Sequence, residues 1–572
     1  MARNLAYRMV STFMYEADAP VAERRAAALA LDRTMLAELL GNVDLRALLD
    51  PVAIAEVEAA LAARPMPDVD DGWTLSDRLR LCASRRGPFT LDEARAVLAV
   101  DIGVLRPAAA ALVSVGALVE GALRPDRPTP QLCDAAVLRR IQRLSLQRAR
   151  AAVAAVEGAA FCRLLQRWQG AGGHQALANR DLVAVLSQLE GVALPVSEWE
   201  RRVLPARLPD FQPAALDALL AGGSFVVCGR GALGAADGKL ALVRRERLHL
   251  HWRPPPPPVA SSLDAAVLLC LEERGALFVF DLRLALPLCA PEHAGADPQE
   301  LAEALFRLCF GGHITNDSLQ PLRARSASVT GQPPTQLALR RQGRLAREGA
   351  AHSLAASGGR WSLLRALPVL DQTADAVHRV TTLLGRYGVL GRDCLALEDG
   401  VSGFANLRPA LRALEERGRA LQGHFVADLL GQQYALGSAV ELLRAPPGSP
   451  HLTALPALDP AQPWGRALAS PPRTAPEAPL RLQAGATLLL CDGDPLMFLS
   501  ANGTTLYTFL FVALTSCAVL RDGLARLVEV HGQRRFRLQQ VDGVPAELAT
   551  LRPLLEAIGF VANGGGLRWA RL

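Results

Sequence analysis

The residues of this chain best equipped for chemistry are arginines at helical spacing, and the chemistry they suit is the holding of phosphate. Arg408 and Arg412 fall one turn apart in FANLRPALRALEERG, so on a helix both guanidinium forks leave from one face. Arg139, Arg140, Arg143, Arg148 and Arg150 run through DAAVLRRIQRLSLQRARAAVAA, a long helix that can lie along phosphates or serve as a solvated linker. His313 and His424 stand at comparable places after glycines, where an imidazole can touch phosphate or simply be a partly exposed polar group. Gln540 and Asp542 are an amide and a carboxylate two residues apart, which on a strand share one side and can face one cleft. Asp542-Gly543 is equally an ordinary hairpin turn.

Three other patterns carry less. Gly229, Gly231 and Gly234 spell G-x-G-x-x-G after a strand, yet AADGKLALVRR reads as a turn and a second strand where a dinucleotide site needs a helix, so a Gly-rich hairpin is expected. His249-Leu250-His251 puts two imidazoles on one face of a strand with no third ligand nearby, which reads as a strand end and gives no metal site. Trp168, Trp199 and Trp361 are read as core residues before stacking platforms for unpaired bases.

The elements that must position the arginines repeat. A Leu, three residues and a Gly, followed by a short apolar strand, occur at Leu112–Gly116, Leu219–Gly223, Leu308–Gly312 and Leu414–Gly418, at roughly hundred-residue intervals. Each Gly follows a Leu-rich helix and precedes a hairpin, the signature of a glycine that turns a last helix into a wing. Upstream, RRGPF, EERGALF and GRYGVL each close a first helix with Gly. The expectation is four tandem winged helices, whose third helices enter a DNA groove while the hairpins straddle the backbone.

With 572 residues the chain is too long for one core. Half of it is hydrophobic and only 5% aromatic, which favours Leu-, Val- and Ala-packed helices. The net charge of +6, carried almost wholly by Arg with Lys239 as the only lysine, suits a polyanionic partner, although an Arg-rich composition also follows from a G+C-rich genome. Ten cysteines are scattered without a C-x-x-C pair, so no zinc site, disulfide framework or other cofactor is indicated. No window holds 18 apolar residues free of charge, and a cytoplasmic protein without a membrane partner is expected.

Read in order, residues 1–64 are helical, 65–155 a first winged helix with the basic helix, 156–253 a second, 259–323 a third and 366–445 a fourth. Residues 324–365 and 446–482 read as linkers, the latter Pro-rich. Residues 483–572, with hairpin signals at Asp492-Gly493 and Asn502-Gly503, read as a small barrel-like or α+β end domain. The fold class is therefore α+β, mostly α.

Several pieces occur in the order of a known family. Phe13–Leu61 resembles the end of the helicase core in bacterial large helicase-related proteins, the Lhr family. SLQRARAAV with WQG, VLPARLPDFQPAALDAL, Ile314–Asp317, Gly359–Leu364, Asp459-Pro460 with Pro463-Trp464-Gly465, and the closing DGDPLMFL, TLYTF and VDG are similar to its long C-terminal region. The resemblance implies a 3′-to-5′ DNA helicase whose C-terminal region is a series of winged helices and a β-barrel, similar in architecture to winged-helix DNA glycosylases. No G-x-x-x-x-G-K-[ST] loop is present, so the expectation is the accessory region alone, a fragment or the downstream half of a split gene. Its expected partners are DNA, single-stranded or duplex, a separate Lhr helicase core chain, and further copies of itself. Three readings follow: a DNA-binding accessory region acting in repair, a base-excision enzyme, or a winged-helix transcription regulator. For the second, the glycosylase relatives use Gln, an apolar residue, then Gln or Asp, which maps catalysis onto Gln540 and Asp542; for the first, Arg408, Arg412, Arg139, Arg140, Arg143, Arg148 and His424 bind DNA.

Overall fold

The computed structural model describes residues 49–570 apart from 64–71, 128, 152–153, 174–179, 235–236, 260–261, 331–357, 367–370, 399–402, 447–450, 476–479, 511–515 and 532–535. The expectations for residues 1–48 lie outside the described residues.

Asp50-Pro51 opens α1 (Pro51–Ala62), the Asp50 carboxylate accepting from the Val52 N–H. The first winged helix follows: α2 (Leu75–Ser84), α3 (Leu91–Leu98), α4 (Ile102–Ser114), β1 (Leu118–Gly121) and β2 (Gln131–Asp134). Thr74 with Asp77 and Thr90 with Glu93 form capping boxes that fix where α2 and α3 begin. Phe89 pairs with Leu132 and supplies the short first strand. Two helices then lead onward, α5 (Ala135–Ala151) and α6 (Gly158–Gln169).

The same order of helix, short strand, two helical segments and two strands returns in the second and fourth units; in the third a single bridge at Leu277 replaces the short strand and a helix stands between the last two strands, so Gly312 leads into a strand whose partner is distant and not into the expected hairpin. The second unit has α7 (Leu182–Gln188), β3 (Ala193–Pro195), a π-helical turn at Trp199–Val203, α8 (Pro213–Ala221), β4 (Phe225–Leu233) and β5 (Asp237–Arg244), with sheet order β3-β5-β4. The third has α9 (Leu263–Arg274), α10 (Val279–Cys289), α11 (Pro298–Phe310), β6 (Ile314–Asn316), α12 (Gln320–Thr330) and β7 (Trp361–Leu363). The fourth has α13 (Gln372–Tyr387), β8 (Val389–Leu390), α14 (Phe404–Glu416), β9 (Leu421–Gly423), β10 (Gln433–Ala435) and α15 (Gly437–Arg444).

The repeated Leu-x-x-x-Gly has one cause. Gly116, Gly223, Gly312 and Gly418 all adopt positive φ, between 68° and 78°, just past the third helix. The next residue's N–H then reaches back to the leucine carbonyl: Ala117 to Leu112 at 2.9 Å, His313 to Leu308 at 2.9 Å and Arg419 to Leu414 at 2.8 Å. This is the Schellman closure, which satisfies a helix-end carbonyl and throws the chain into the wing.

The end domain is an open six-stranded sheet ordered β11 (Leu452–Pro456), β12 (Thr487–Cys491), β13 (Asp494–Leu499), β14 (Thr505–Thr508), β16 (Gln540–Val541) and β17 (Val544–Pro545), backed by α16 (Cys517–His531). In sequence order β15 (Arg537–Leu538), β16 (Gln540–Val541), β17 (Val544–Pro545), α17 (Arg552–Ala557), β18 (Phe560–Ala562) and β19 (Leu567–Trp569) complete it, and β14 and β16 run parallel. No closed barrel forms among the described residues. Within this end domain Cys517–His531 is helical because Leu520, Leu524, Leu527 and Val528 recur at helical spacing and are buried on one stripe.

Packing departs from the order along the chain. The second and third units share one core, in which Trp199, Leu216, Leu242, Phe306 and Trp361 meet. Residues 324–365, expected as linker, begin in α12 and supply β7, whose Trp361 pairs with Asn316 and completes the third sheet. Helix α6, expected in the second unit, instead buries Phe161, Leu164 and Leu165 in the core of the fourth. Residues 446–482 also hold β11, an edge strand of the end sheet. Leu488 and Leu490 face the core shared with the fourth unit while Leu489 faces the end-domain core, so β12 is buried on both sides and its sequence is continuously apolar.

Two buried cations lock these parts together. The Arg207 guanidinium donates to both Asp459 carboxylate oxygens at 2.9 and 2.7 Å and to Gln169 at 2.7 Å, with Arg207 and Asp459 fully buried. Arg386, also buried, pairs with Glu398 and donates to the Gln188 carbonyl at 2.9 Å. The first joins the second unit, α6 and the turn before β12; the second joins the second and fourth units.

Candidate nucleic-acid interface

What each third helix offers to solvent decides which can face a phosphate backbone. Helix α4 exposes Val104, Arg106 and Pro107, and α8 exposes Pro213, Ala214 and Ala215 while its Asp217 holds Arg323 at 2.7 Å. Helix α11 is buried along most of its length, and its exposed Arg307 is held by Asp264 at 2.6 Å. Helix α14 differs. It buries Leu407, Ala410, Leu411 and Leu414, which leaves Arg408 half-buried and Arg412 exposed, and it carries no acid before Glu415. Arg412 and Arg408 also lie within electrostatic reach of Tyr434 on β10, whose phenol burial pushes up.

Helix α5 comes to the same place, which nothing in the chain order announces. It packs against β9, the wing strand of the fourth unit. Beyond its end, Val156 joins the wing loop as a strand partner, its N–H donating to the Phe425 carbonyl at 2.9 Å and its carbonyl accepting from Ala427 at 2.8 Å. The Asp428 carboxylate then accepts from the Gly158 N–H at 2.7 Å and starts α6. The two arginine sets, some 270 residues apart in sequence, are thus parts of one assembly.

Within α5 the arginines are not equivalent. Arg140 and Arg143 are exposed. Arg139 turns its Nε back to the Ala135 carbonyl at 3.0 Å. Arg148 is held by Asp50 at 2.8 Å and Glu56 at 3.7 Å, so it clamps α5 to α1. On the wing, His424 is exposed with Nδ1 3.2 Å from the Gln433 amide. Buried Gln433 shapes that wing by accepting from the Phe425 and Val426 N–H groups, both at 2.9 Å, and donating to the Val426 and Leu429 carbonyls. Exposed Arg419 adds a cation at the wing's root that the sequence reading passed over; its place right after the repeated glycine was the available signal.

Gln540 and Asp542 sit elsewhere, in the end domain. Gln540 is exposed on β16, which ends at Val541. Asp542 and Gly543 follow as a two-residue turn with φ of 51° and 78°, the left-handed pair that closes a tight hairpin, so the two side chains do not share one strand face. The Asp542 carboxylate accepts from the Thr508 N–H and the Thr508 hydroxyl, each at 2.7 Å, and the Thr508 hydroxyl lies 2.7 Å from that of Thr474.

The remaining motifs resolve into packing. Gly229 is small because a Cβ there would strike the carbonyl oxygens of Cys309 and Phe310 at the end of α11, and no helix follows β4. His249 and His251 lie in a short helix, Leu248–His251, where the sequence reading had a strand. His249 meets Asp375 at 2.8 Å, and burial together with neighbouring arginines pushes His251 down to about 3. Trp199 and Trp361 are core residues, and Trp168 donates to the Gly385 carbonyl at 2.8 Å.

Comparison with known proteins gives this architecture its relatives. Residues 156–245 and 369–454 each match a family model described as large helicase-related protein, winged-helix domain. A protein of Mycolicibacterium smegmatis described as Lhr helicase/probable uracil glycosylase is 32% identical over 99% of this chain and 44% of its own length. The Lhr helicase/uracil glycosylase of Escherichia coli is 29% identical over the same shares. The chain therefore spans less than half the length of these relatives. Among solved structures, the Streptomyces sahachiroi DNA glycosylase AlkZ aligns over 68% of this chain and all of its own, at 13% identity and a TM-score of 0.36, a likeness that carries no argument by itself. With two family-specific winged-helix domains and similarity running along its whole length, the chain belongs to the Lhr family and corresponds to the C-terminal region of its longer members.

Proposed function

We propose that this region binds DNA as the accessory part of an Lhr-type helicase acting in DNA repair in the cytoplasm, and that the binding surface is α14, the wing of the fourth unit and the exposed face of α5. The single observation that carries this reading is the packing of α5 against β9, which sets Arg140 and Arg143 on the same assembly as Arg408, Arg412, Arg419 and His424. Arginine suits the task because its planar fork holds phosphate oxygens in pairs and stays charged at any relevant pH. The other three third helices lack such a pair. The partner that supplies the motor is a helicase core like that of the relatives.

A second reading, excision of a damaged or uracil base by the same region, is favoured by the descriptions of both relatives, whose similarity covers 99% of this chain. The test of the first reading is affinity for a labelled duplex measured against salt. Each phosphate contact contributes about −0.9 to the slope of log affinity on log salt, so replacing both Arg408 and Arg412 by Ala should flatten it by about two. An unchanged slope would remove α14 from the interface. For the second reading, alkali cleavage of a uracil-containing strand after incubation with the chain should reveal an abasic site; intact strand would leave binding alone.

A further inference from the structure

Between α1 and the first winged helix runs an open groove of about 820 Å³. It lies on a seam. Helix α1 buries Ile54, Val57 and Leu61 in a cluster with Leu123, Val137 and Ile141, whereas the winged helix packs Leu79, Phe89, Leu105 and Leu132 into a core of its own. Two small cores that share no buried side chain leave a channel where they meet. Its apolar floor is open to solvent: Leu81 and Leu98 are half-buried, Ala62 is exposed and Val97 is 50% exposed.

The charged groups around that floor are unbalanced. Arg78, Arg85, Arg86 and Arg124 line the groove against two acids, Glu58 and Glu93, and both acids are engaged. Glu58 pairs with Arg124, whose Nε also donates to the Pro88 carbonyl at 3.1 Å. Glu93 accepts from the Thr90 N–H at 2.8 Å and from Arg127 at 2.7 Å. These bonds also fix the walls. The first set ties α1 to the turn after α2, where Gly87 carries no side chain because a Cβ would strike the Glu58 carboxylate. The second sets the start of α3. Among the described residues, exposed Arg78 and half-buried Arg86 have no carboxylate at ion-pair distance.

We infer that this groove docks an acidic peptide of a partner protein, an extended segment that carries one or two apolar side chains among aspartates. Charge complementarity selects the occupant. Two cations without a counter-charge call for carboxylates, and they stand beside apolar surface that is stabilised when apolar side chains cover it. A nucleic-acid backbone meets the first demand alone, and Glu58 and Glu93 in the walls oppose it. The lining includes no residue of α4, α5 or α14, so the groove lies apart from the surface assigned to DNA and the inference does not depend on that assignment.

The test is fluorescence anisotropy of the full chain with a labelled peptide, Gly-Ser-Asp-Asp-Leu-Asp-Phe-Asp, at physiological salt. Two control peptides accompany it, one with Asn for every Asp and one with Ser for Leu and Phe. The acidic peptide should bind saturably, and each control should bind about tenfold more weakly, through loss of the ion pairs or of the apolar anchors. Arg78→Glu with Arg86→Glu should weaken the acidic peptide by about tenfold as well, whereas Arg106→Glu, also exposed but on α4, should not. Equal binding of the peptide without Leu and Phe would reduce the groove to a site for any anion and overturn the inference. Displacement of the bound peptide by an equimolar short single strand would assign the groove to nucleic acid and overturn it too. No binding by the parent chain, with binding once Asp68, Asp70 and Asp71 are replaced by Ser, would give the groove to the chain's own acidic stretch between α1 and α2 and overturn the partner; no binding by either would overturn the ligand class. The peptides are compared on the unaltered chain, so a folding defect in the double variant neither rescues nor sinks the inference.

Discussion

Replacing Arg207 by Ala should be among the most damaging single changes available away from the apolar cores. The guanidinium makes two bonds to Asp459, at 2.9 and 2.7 Å, and one to Gln169 at 2.7 Å, and both charged side chains are wholly excluded from solvent. Removing the cation strands a buried carboxylate, a loss that runs to about 3–5 kcal/mol. Replacing both partners together, Arg207→Met with Asp459→Leu, removes the stranded charge and should restore about half of that, the Ala461 N–H still losing its acceptor. The assay is urea unfolding of the full chain followed by tryptophan fluorescence, since Trp464 lies on the affected turn and Trp199 in the neighbouring core. The coupling between the two sites should be on the order of 2 kcal/mol or more. A single-variant loss below about 1 kcal/mol, or strictly additive losses, would refute the claim that this pair is a desolvated lock between units.

Three further outcomes are expected. Gly229→Ala should lower stability by about 1–3 kcal/mol or more, because its Cβ meets backbone at the end of α11, whereas Gly231→Ala meets nothing and pays only about 1–2 kcal/mol of backbone strain at its φ of 111°; equal losses in denaturant titration would contradict this assignment. His251, pushed down to about 3 by burial and the arginines around it, resists protonation when folded but not when unfolded, so stability should be full above about pH 6.5 and fall as pH drops toward 3. Its slope is at most about 1.4 kcal/mol per pH unit, softened by partial exposure, and a His251→Leu chain whose thermal midpoint follows the same pH curve as the parent would show that another group governs it. Asp542→Ala should cost about 1–3 kcal/mol through the two lost bonds to Thr508, while Asp542→Asn keeps one acceptor and the left-handed turn and should cost less than half as much; the reverse order in thermal unfolding would contradict a positioning role.

The parts of this architecture that a single sequence reveals are those fixed by local geometry. The helices at Leu75–Ser84 and Leu91–Leu98 are legible because threonine caps mark their starts, and the ends of the four third helices because a glycine at positive φ turns each of them into the next strand. What stays hidden depends on partners distant in the chain. Nothing in GAAFCRLLQRWQ says that its apolar stripe belongs with α13 and α15 in preference to the nearer α7, since a stripe specifies burial without naming the surface that buries it. Likewise Trp361 lies beyond a long Arg- and Ala-rich stretch, yet it is the strand partner of Asn316. The arginines of α5 show the same limit at the candidate site. Their spacing declares a basic helix, but that Arg148 is held by Asp50 and Glu56 while Arg140 and Arg143 stay exposed follows only from where α1 packs. Gln540 and Asp542 mislead for a local reason: a two-residue pattern cannot distinguish a continuing strand from one that ends at an Asp-Gly turn.

The measurement that bears most directly on the central claim is a matched set of salt titrations on one duplex, comparing arginine replacements on different third helices. Arg408→Ala with Arg412→Ala, and Arg140→Ala with Arg143→Ala, should each flatten the slope of log affinity on log salt by about two, because each pair neutralises about two phosphates. Arg106→Ala on α4 and Arg307→Ala on α11 should leave it unchanged. Equal flattening by all four, or flattening by Arg106 and Arg307 alone, would contradict an interface formed by α5, α14 and the fourth wing.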